Sequence, residues 1–167
     1  MSLITQYGGL VGYPPFTMGR VFFVAPAASY TINGKSYDAS DDNDGLDPTR
    51  ALRTPGRFIT LATAGVGDVC VLLEGTHTVT AVIAVTKSSL KFFGVGKYDE
   101  DFNVYSPQTI VTSTGTSTNL FNVTADNVEI AYLTIRPTTA FSGVVTSGTT
   151  GVNGLRVHHC YVDLVTP

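Results

Sequence analysis

An all-β fold is predicted here: short strand-and-turn units stacked as a right-handed parallel β-helix, behind a short capping helix and an extended N-terminal arm. Three features predict it. Charged residues make up 14% of the 167-residue chain and glycine numbers 17, whereas an ordinary domain carries roughly 25% charge. The apolar residues of the second half alternate at every other position instead of recurring at the helical period. Finally, the chain repeats itself. VTKSSLKFFGVG from Val85, VTADNVEIAYLTI from Val123 and GVNGLRVHHCYVDL from Gly151 each open with a polar turn and then alternate. Leu90, Phe92 and Gly94 align with Val128, Ile130 and Leu133, and again with Leu155, Val157 and Cys160. The repeats recur at roughly 25 to 40 residues, the range of stacked repeats. One unit cannot bury its own inward face, so neighbours must stack.

Three segments are expected along the chain. Residues 1–19 form an arm rich in Gly, Pro and aromatic residues, in which paired prolines favour extended backbone. Its apolar side chains (Tyr7, Leu10, Tyr13, Pro14, Pro15 and Phe16) need a surface to bury against. That surface is either the arm's own domain or a neighbouring subunit or particle. Residues 20–37 form a lead-in: a strand RVFFVA from Arg20, then a hairpin across Asn33-Gly34, the dipeptide that best fits a two-residue β-turn. Residues 38–167 form the stacked body.

The body opens with an acidic loop, Asp41-Asp42-Asn43-Asp44-Gly45-Leu46-Asp47-Pro48. In calcium-loop spacing, Asp42 and Asp44 precede the Gly position. The first ligand position then falls on Ser40 and the closing Glu position on Ala51, and both depart from the pattern. The alternative is a turn whose Asx side chains bind their own backbone. Thr54-Pro55 reads as an N-cap followed by proline at the first helical position. Phe58, Leu61 and Ala62 share a face, so Thr54–Ala64 reads as a helix lying as a lid on the stack, ended by Gly65 and Gly67. Asp68 to Leu73 is a nearly continuous apolar strand, as in a sheet covered on both faces. Glu74 to His77 reads as a turn. Thr109–Ser113, Leu120–Val123 and Val144–Thr146 read as further strands.

Several classes of function are disfavoured by composition. A net charge of −3, a pI near 5.4 and no cluster of basic residues give no footprint for nucleic acid. No run approaches the roughly 20 apolar residues of a membrane span. The N-terminus lacks the basic and apolar regions of a secretory signal, so a soluble, cytoplasmically made product is expected. Cys70 and Cys160 each sit in apolar strands and read as buried free thiols.

The unit Asn127-Val128-Glu129-Ile130-Ala131-Tyr132-Leu133-Thr134-Ile135 resembles the repeat of pectate-lyase-like β-helices. DASDDNDGLDPTRALRT followed by GDVCVLLEGTHTV resembles the opening module of such proteins, phage tailspikes and other phage virion proteins among them. The resemblance runs from about Tyr37 to Asp163. It departs at Thr54-Pro55-Gly56-Arg57, which implies a shorter cap helix. It implies a fold and leaves function open, because this fold hosts lyases, hydrolases and inert adhesins.

Catalytic constellations are thin. Arg136 and Arg156 follow strands in successive repeats and would stand together for a lyase, with Glu129 and Asp126 as nearby acids. A glycosidase needs two facing carboxylates, yet most acids lie in loops. Adjacent strand residues point to opposite faces; His158 is expected to face outward and Cys160 the core, with no second cluster at metal spacing. Tyr98, Tyr105, Tyr132 and Tyr161 are candidates to stack on sugars. The expectation is a non-enzymatic phage virion protein that decorates a capsid or tail. Its arm docks on other virion proteins; it is a homotrimer, needs no cofactor, and faces host glycan or solvent. The alternative is a polysaccharide-degrading tailspike whose active repeats lie beyond Pro167.

Overall fold

The computed structural model describes residues 19–99, 104–114, 119–136, 142–146 and 151–163. The arm residues Tyr7, Leu10, Tyr13, Pro14, Pro15 and Phe16 lie outside them, as do the side chains of Tyr98 and Tyr105. The described chain is dominated by strands, with one α-helix and one 3₁₀ turn.

Three parallel sheets carry the body. The first comprises β1 (Val21–Val24), β4 (Val69–Leu72), β7 (Lys91–Gly94), β12 (Glu129–Ala131) and β15 (Arg156–His158), in that order. The second runs β5 (Gly75–Val79), β10 (Thr109–Ser113), β13 (Thr134–Arg136), β16 (Tyr161–Val162). The third runs β6 (Ile83–Val85), β11 (Asn119–Val123), β14 (Ser142–Thr146). From β4 onward the chain visits first, second and third sheet in turn, then begins again one strand further along each. Two hairpins are antiparallel: β2 (Ser29–Ile32) with β3 (Lys35–Asp38), and β8 (Gly96–Asp99) with β9 (Val104–Pro107). The first turns at Asn33 and Gly34, both at positive φ.

Registry places like positions in columns. Phe22, Cys70, Phe92, Ile130 and Val157 are successive partners across the first sheet. His77, Val111, Ile135 and Val162 are successive partners across the second. Phe22, Cys70, Phe92, Ile130, Val111, Ile135, Phe121 and Val123 all bury in one core. Phe58, Phe92 and Phe121 continue it as edge-to-face pairs with centroids 5.3 and 5.7 Å apart, a spacing at which aromatic pairs attract beyond their buried area. The opposite face of the first sheet is apolar too, with Val69, Val71, Phe93 and Ala131 buried there. This is why VCVLL reads as an unbroken apolar run.

The turn leading into the first sheet is chemically repeated. Ser89, Asn127 and Gly154, each just before the first apolar residue of its repeat, adopt φ of 62°, 57° and 69°. Such left-handed backbone suits Gly and Asn and is costly for bulky residues. Gly94 answers a different demand: a Cβ there would stand 2.3 Å from the Tyr132 carbonyl oxygen.

The helix α1 (Pro55–Leu61) is shorter than the Thr54–Ala64 reading, and Ala62 closes it by donating its N–H to Phe58 O. Ala62 is extended (φ −65°, ψ 153°), so the backbone leaves the helix before Gly65 and Gly67 are reached. Its N-cap is Thr54, whose hydroxyl accepts from Arg57 N at 3.1 Å. Phe58, Ile59 and Ala62 are buried and Leu61 is partly buried against the core. Phe58 meets Phe22 at 5.4 Å, edge to face. The helix therefore packs on β1 as well as on the strands after it. RVFFVA is the outer strand of the main sheet, joined to β4 along its whole length, because its apolar residues on both faces need cover. Buried Asp68 fixes this junction, accepting from Arg20 N and Thr63 N at 2.7 Å each.

Between β7 and β10 the chain leaves the sheets through the β8–β9 hairpin, and the departure is pinched at its base. Gln108 N donates to Val95 O at 2.8 Å, and Val95 N donates to the buried Thr109 Oγ1 at 2.8 Å. The same hydroxyl donates to Leu72 O at 3.0 Å.

Candidate functional site

The acidic loop uses its side chains on itself. Asp41 accepts from Arg53 N, Thr54 N and Thr54 Oγ1 at 2.8–2.9 Å, tying the loop to the helix cap. Asn43 Nδ2 donates to Ala51 O at 2.9 Å. Asp44 accepts from Leu46 N and pairs with Arg50 at 3.2 Å. Asp47 accepts from Thr49 N and Oγ1, which holds its carboxyl below the usual carboxylate range. Asp42 is exposed. Among the described residues no three His, Cys, Asp or Glu side chains converge as ion ligands. The loop has the geometry of an Asx turn.

The outer face of the first sheet gathers the most chemistry. Lys91, Glu129 and Arg156 stand side by side in register, as do Phe93, Ala131 and His158. Glu129 pairs with Lys91 at 3.8 Å and with His158 Nε2 at 2.8 Å. His158 Nδ1 meets His159 Nδ1 at 2.7 Å. The Tyr132 ring stacks on His159 with centroids 5.0 Å apart and an interplanar angle of 26°. Tyr132 and His159 occupy equivalent positions, one residue past β12 and β15, and both are left-handed, at φ 62° and 51°. Bulky residues held there are costly and cluster at functional sites.

A second feature lies between α1 and the edge strands β5 and β6. It is a groove of about 560 Å³ lined by Arg53, Ile59, His77, Val79 and Ile83, among others. His77 sits within β5, not in a turn: Gly75 at φ 125° completes the bend by itself, so pairing with β10 starts at once. His77 Nε2 donates to Leu73 O at 2.8 Å, while its buried Nδ1 has no partner. Burial pushes the imidazole pKa down to about 4, so the ring is neutral at pH 7.

Other sequence expectations resolve as follows. Arg136 and Arg156 do not meet: they lie in different sheets, Arg136 paired with Asp163 at 2.7 Å and Arg156 beside Glu129. Position within a repeat is the reason, since Arg136 ends its strand and Arg156 begins one. Asp126 caps the neighbouring turn by accepting from Asn153 N at 2.8 Å. Cys70 and Cys160 are free thiols, and burial raises both pKa values. Cys160 packs against the core. His158 and His159 do not diverge as strand neighbours would, because His159 lies past the strand end in left-handed backbone. Tyr161 is exposed. The Tyr132–His159 pairing was hidden in the sequence; the only available signal was that both sit at the same place in successive repeats.

Comparison with protein-family models, with curated proteins and with solved structures finds no match. No helix among the described residues is long and apolar enough to cross a membrane.

Proposed function

We propose that this chain is a bacteriophage virion structural protein whose body is a right-handed parallel β-helix and which decorates a capsid or tail as a homotrimer. The arm of residues 1–19 docks it on other virion proteins. The observation that carries the reading is the cyclic visiting of three parallel sheets with core side chains in columns. Parallel connections of this kind are right-handed in about 98% of cases, which supports the handedness. A rigid stack of this sort is a scaffold first. Its polar groups are consistent with the same view: Glu129, Asp126, Asp68 and Asp163 are each engaged by a neighbour.

Mass spectrometry and immunogold imaging of purified particles test the reading. The chain is expected at a fixed copy number in the particle, and particles that lack it sink the proposal. Deleting residues 1–19 is expected to abolish incorporation while leaving the body folded. A second reading, a glycan-binding or glycan-degrading tailspike, is favoured by the ligand-sized groove that Arg53 and His77 help to line. Binding of host polysaccharide that is lost in Arg53→Gln would favour that reading.

A further inference from the structure

We propose that His158 and His159 form a surface site for a late first-row divalent cation, a property separate from the virion reading and independent of it. Backbone geometry creates the pair. On a regular strand, adjacent side chains point to opposite faces. His159 instead takes φ 51° just past β15, which returns its ring to the side of His158. Their Nδ1 atoms come to 2.7 Å.

Protonation then sets which atoms face an ion. Glu129 Oε1 lies 2.8 Å from His158 Nε2, and a carboxylate can only accept, so Nε2 carries the hydrogen. In the neutral ring, His158 Nδ1 is therefore the bare nitrogen, and His159 Nδ1–H donates to it. An imidazole that ligates through one nitrogen while its other N–H binds a carboxylate is the recurring arrangement of histidine–metal sites. Tyr132, stacked on His159, limits how that ring swings.

The spacing is close to what chelation needs. With metal–nitrogen bonds of about 2.1 Å, two nitrogens stand about 3.0 Å apart at a right angle and about 3.4 Å apart in a tetrahedron. Opening the pair by a few tenths of an ångström, with the His159 hydrogen passed through solvent from Nδ1 to Nε2 so that both Nδ1 atoms are bare, turns the internal hydrogen bond into a bidentate site. No third protein ligand stands among the described residues, so solvent completes the shell and the ion exchanges. Imidazole donors bind Cu²⁺ more tightly than Ni²⁺, and Ni²⁺ more tightly than Co²⁺.

The chain's other donors are poor competitors. It has three histidines, and the remaining one, His77, is buried. Cys70 is buried too, and the half-buried Cys160 thiol is turned to the carbonyls of Ile130 and His158.

Calorimetric titration of the full, untagged chain with Ni²⁺ tests the site, with the electron paramagnetic resonance spectrum of the Cu²⁺ adduct as a second reading. Wild type is expected to take one equivalent of Ni²⁺ and to show two nitrogen couplings on Cu²⁺. His159→Ala, at an exposed position, is expected to lose that equivalent without a change in metal-free melting. Glu129→Gln is expected to weaken it on the order of 10- to 100-fold, the effect of removing an outer-shell carboxylate. No equivalent bound by wild type, or equal binding by His159→Ala, overturns the site. An unchanged affinity in Glu129→Gln overturns the role given to the carboxylate.

Discussion

The two ends of the same columns are finished differently. At its first end, the column of the first sheet starts with Phe22, 1% exposed beneath Phe58; at its last, it stops with Val157, 44% exposed. The column of the second sheet runs from His77, 2% exposed, to Val162, 56% exposed. Apolar side chains, Phe22 and Val157, stand at the two ends of the first column, and the second begins at buried His77 and ends at exposed Val162, so apolar character does not explain the contrast. What differs is the lid. An α-helix, anchored by Thr54 and Asp41, covers the first end. The described residues place nothing comparable over Val157, Tyr161 and Val162. In a stack where each layer is covered by the next, stability is expected to be concentrated near the lid and to fade toward the other end.

The largest test of this contrast is Phe58→Asp. It removes a fully buried ring wedged between Phe22 and Phe92 and buries a carboxylate in its place. The expected cost is at least about 3–5 kcal/mol, the scale for losing a core aromatic. An unchanged melting temperature would show that the helix is not the lid.

His77 gives a test of intermediate size at the same end. Its folded pKa is depressed from 6.5 to about 4, so the unfolded chain takes up its proton first as pH falls. The stability that depends on neutral His77 is complete above pH 6.5 and is lost as pH drops toward 4. The shift corresponds to about 3 kcal/mol. Urea midpoints measured across that window should fall, and His77→Gln should flatten the slope. The same slope in the variant would place the acid sensitivity elsewhere.

The smallest effect belongs to the other end. Val162→Ser is expected to change stability by no more than about 0.5 kcal/mol, as for an exposed substitution. A loss above 2 kcal/mol would mean that Val162 is covered in solution, and the contrast between the ends would disappear.

Local chemistry made much of this architecture readable. Asn33-Gly34 marks its hairpin, Thr54-Pro55 starts its helix, and Ser89, Asn127 and Gly154 mark the turn before each apolar run. Phe58 was identifiable as a residue on the buried face of the helix from helical spacing alone. Features that depend on three-dimensional registry were not readable. RVFFVA gives no sign that its partner lies at Val69, nearly fifty residues on. Arg136 and Arg156 look equivalent as arginines near strands, but they belong to different sheets. GTHTV has too few apolar residues to announce a strand, and the stretches of β8 and β9 lack clear alternation. The Tyr132–His159 stack needs two left-handed residues one layer apart, a conformation that the side chains themselves disfavour.

The pinched base of the β8–β9 hairpin bears on how such a chain can change over time. Thr109 locks Val95 and Leu72 together whatever lies between residues 96 and 107, and Gln108 closes the neck with Val95. Length and sequence can therefore drift in the excursion while the layers on either side stay in step. A population under pressure to alter its outer surface could exchange this one loop wholesale and leave the inherited frame untouched.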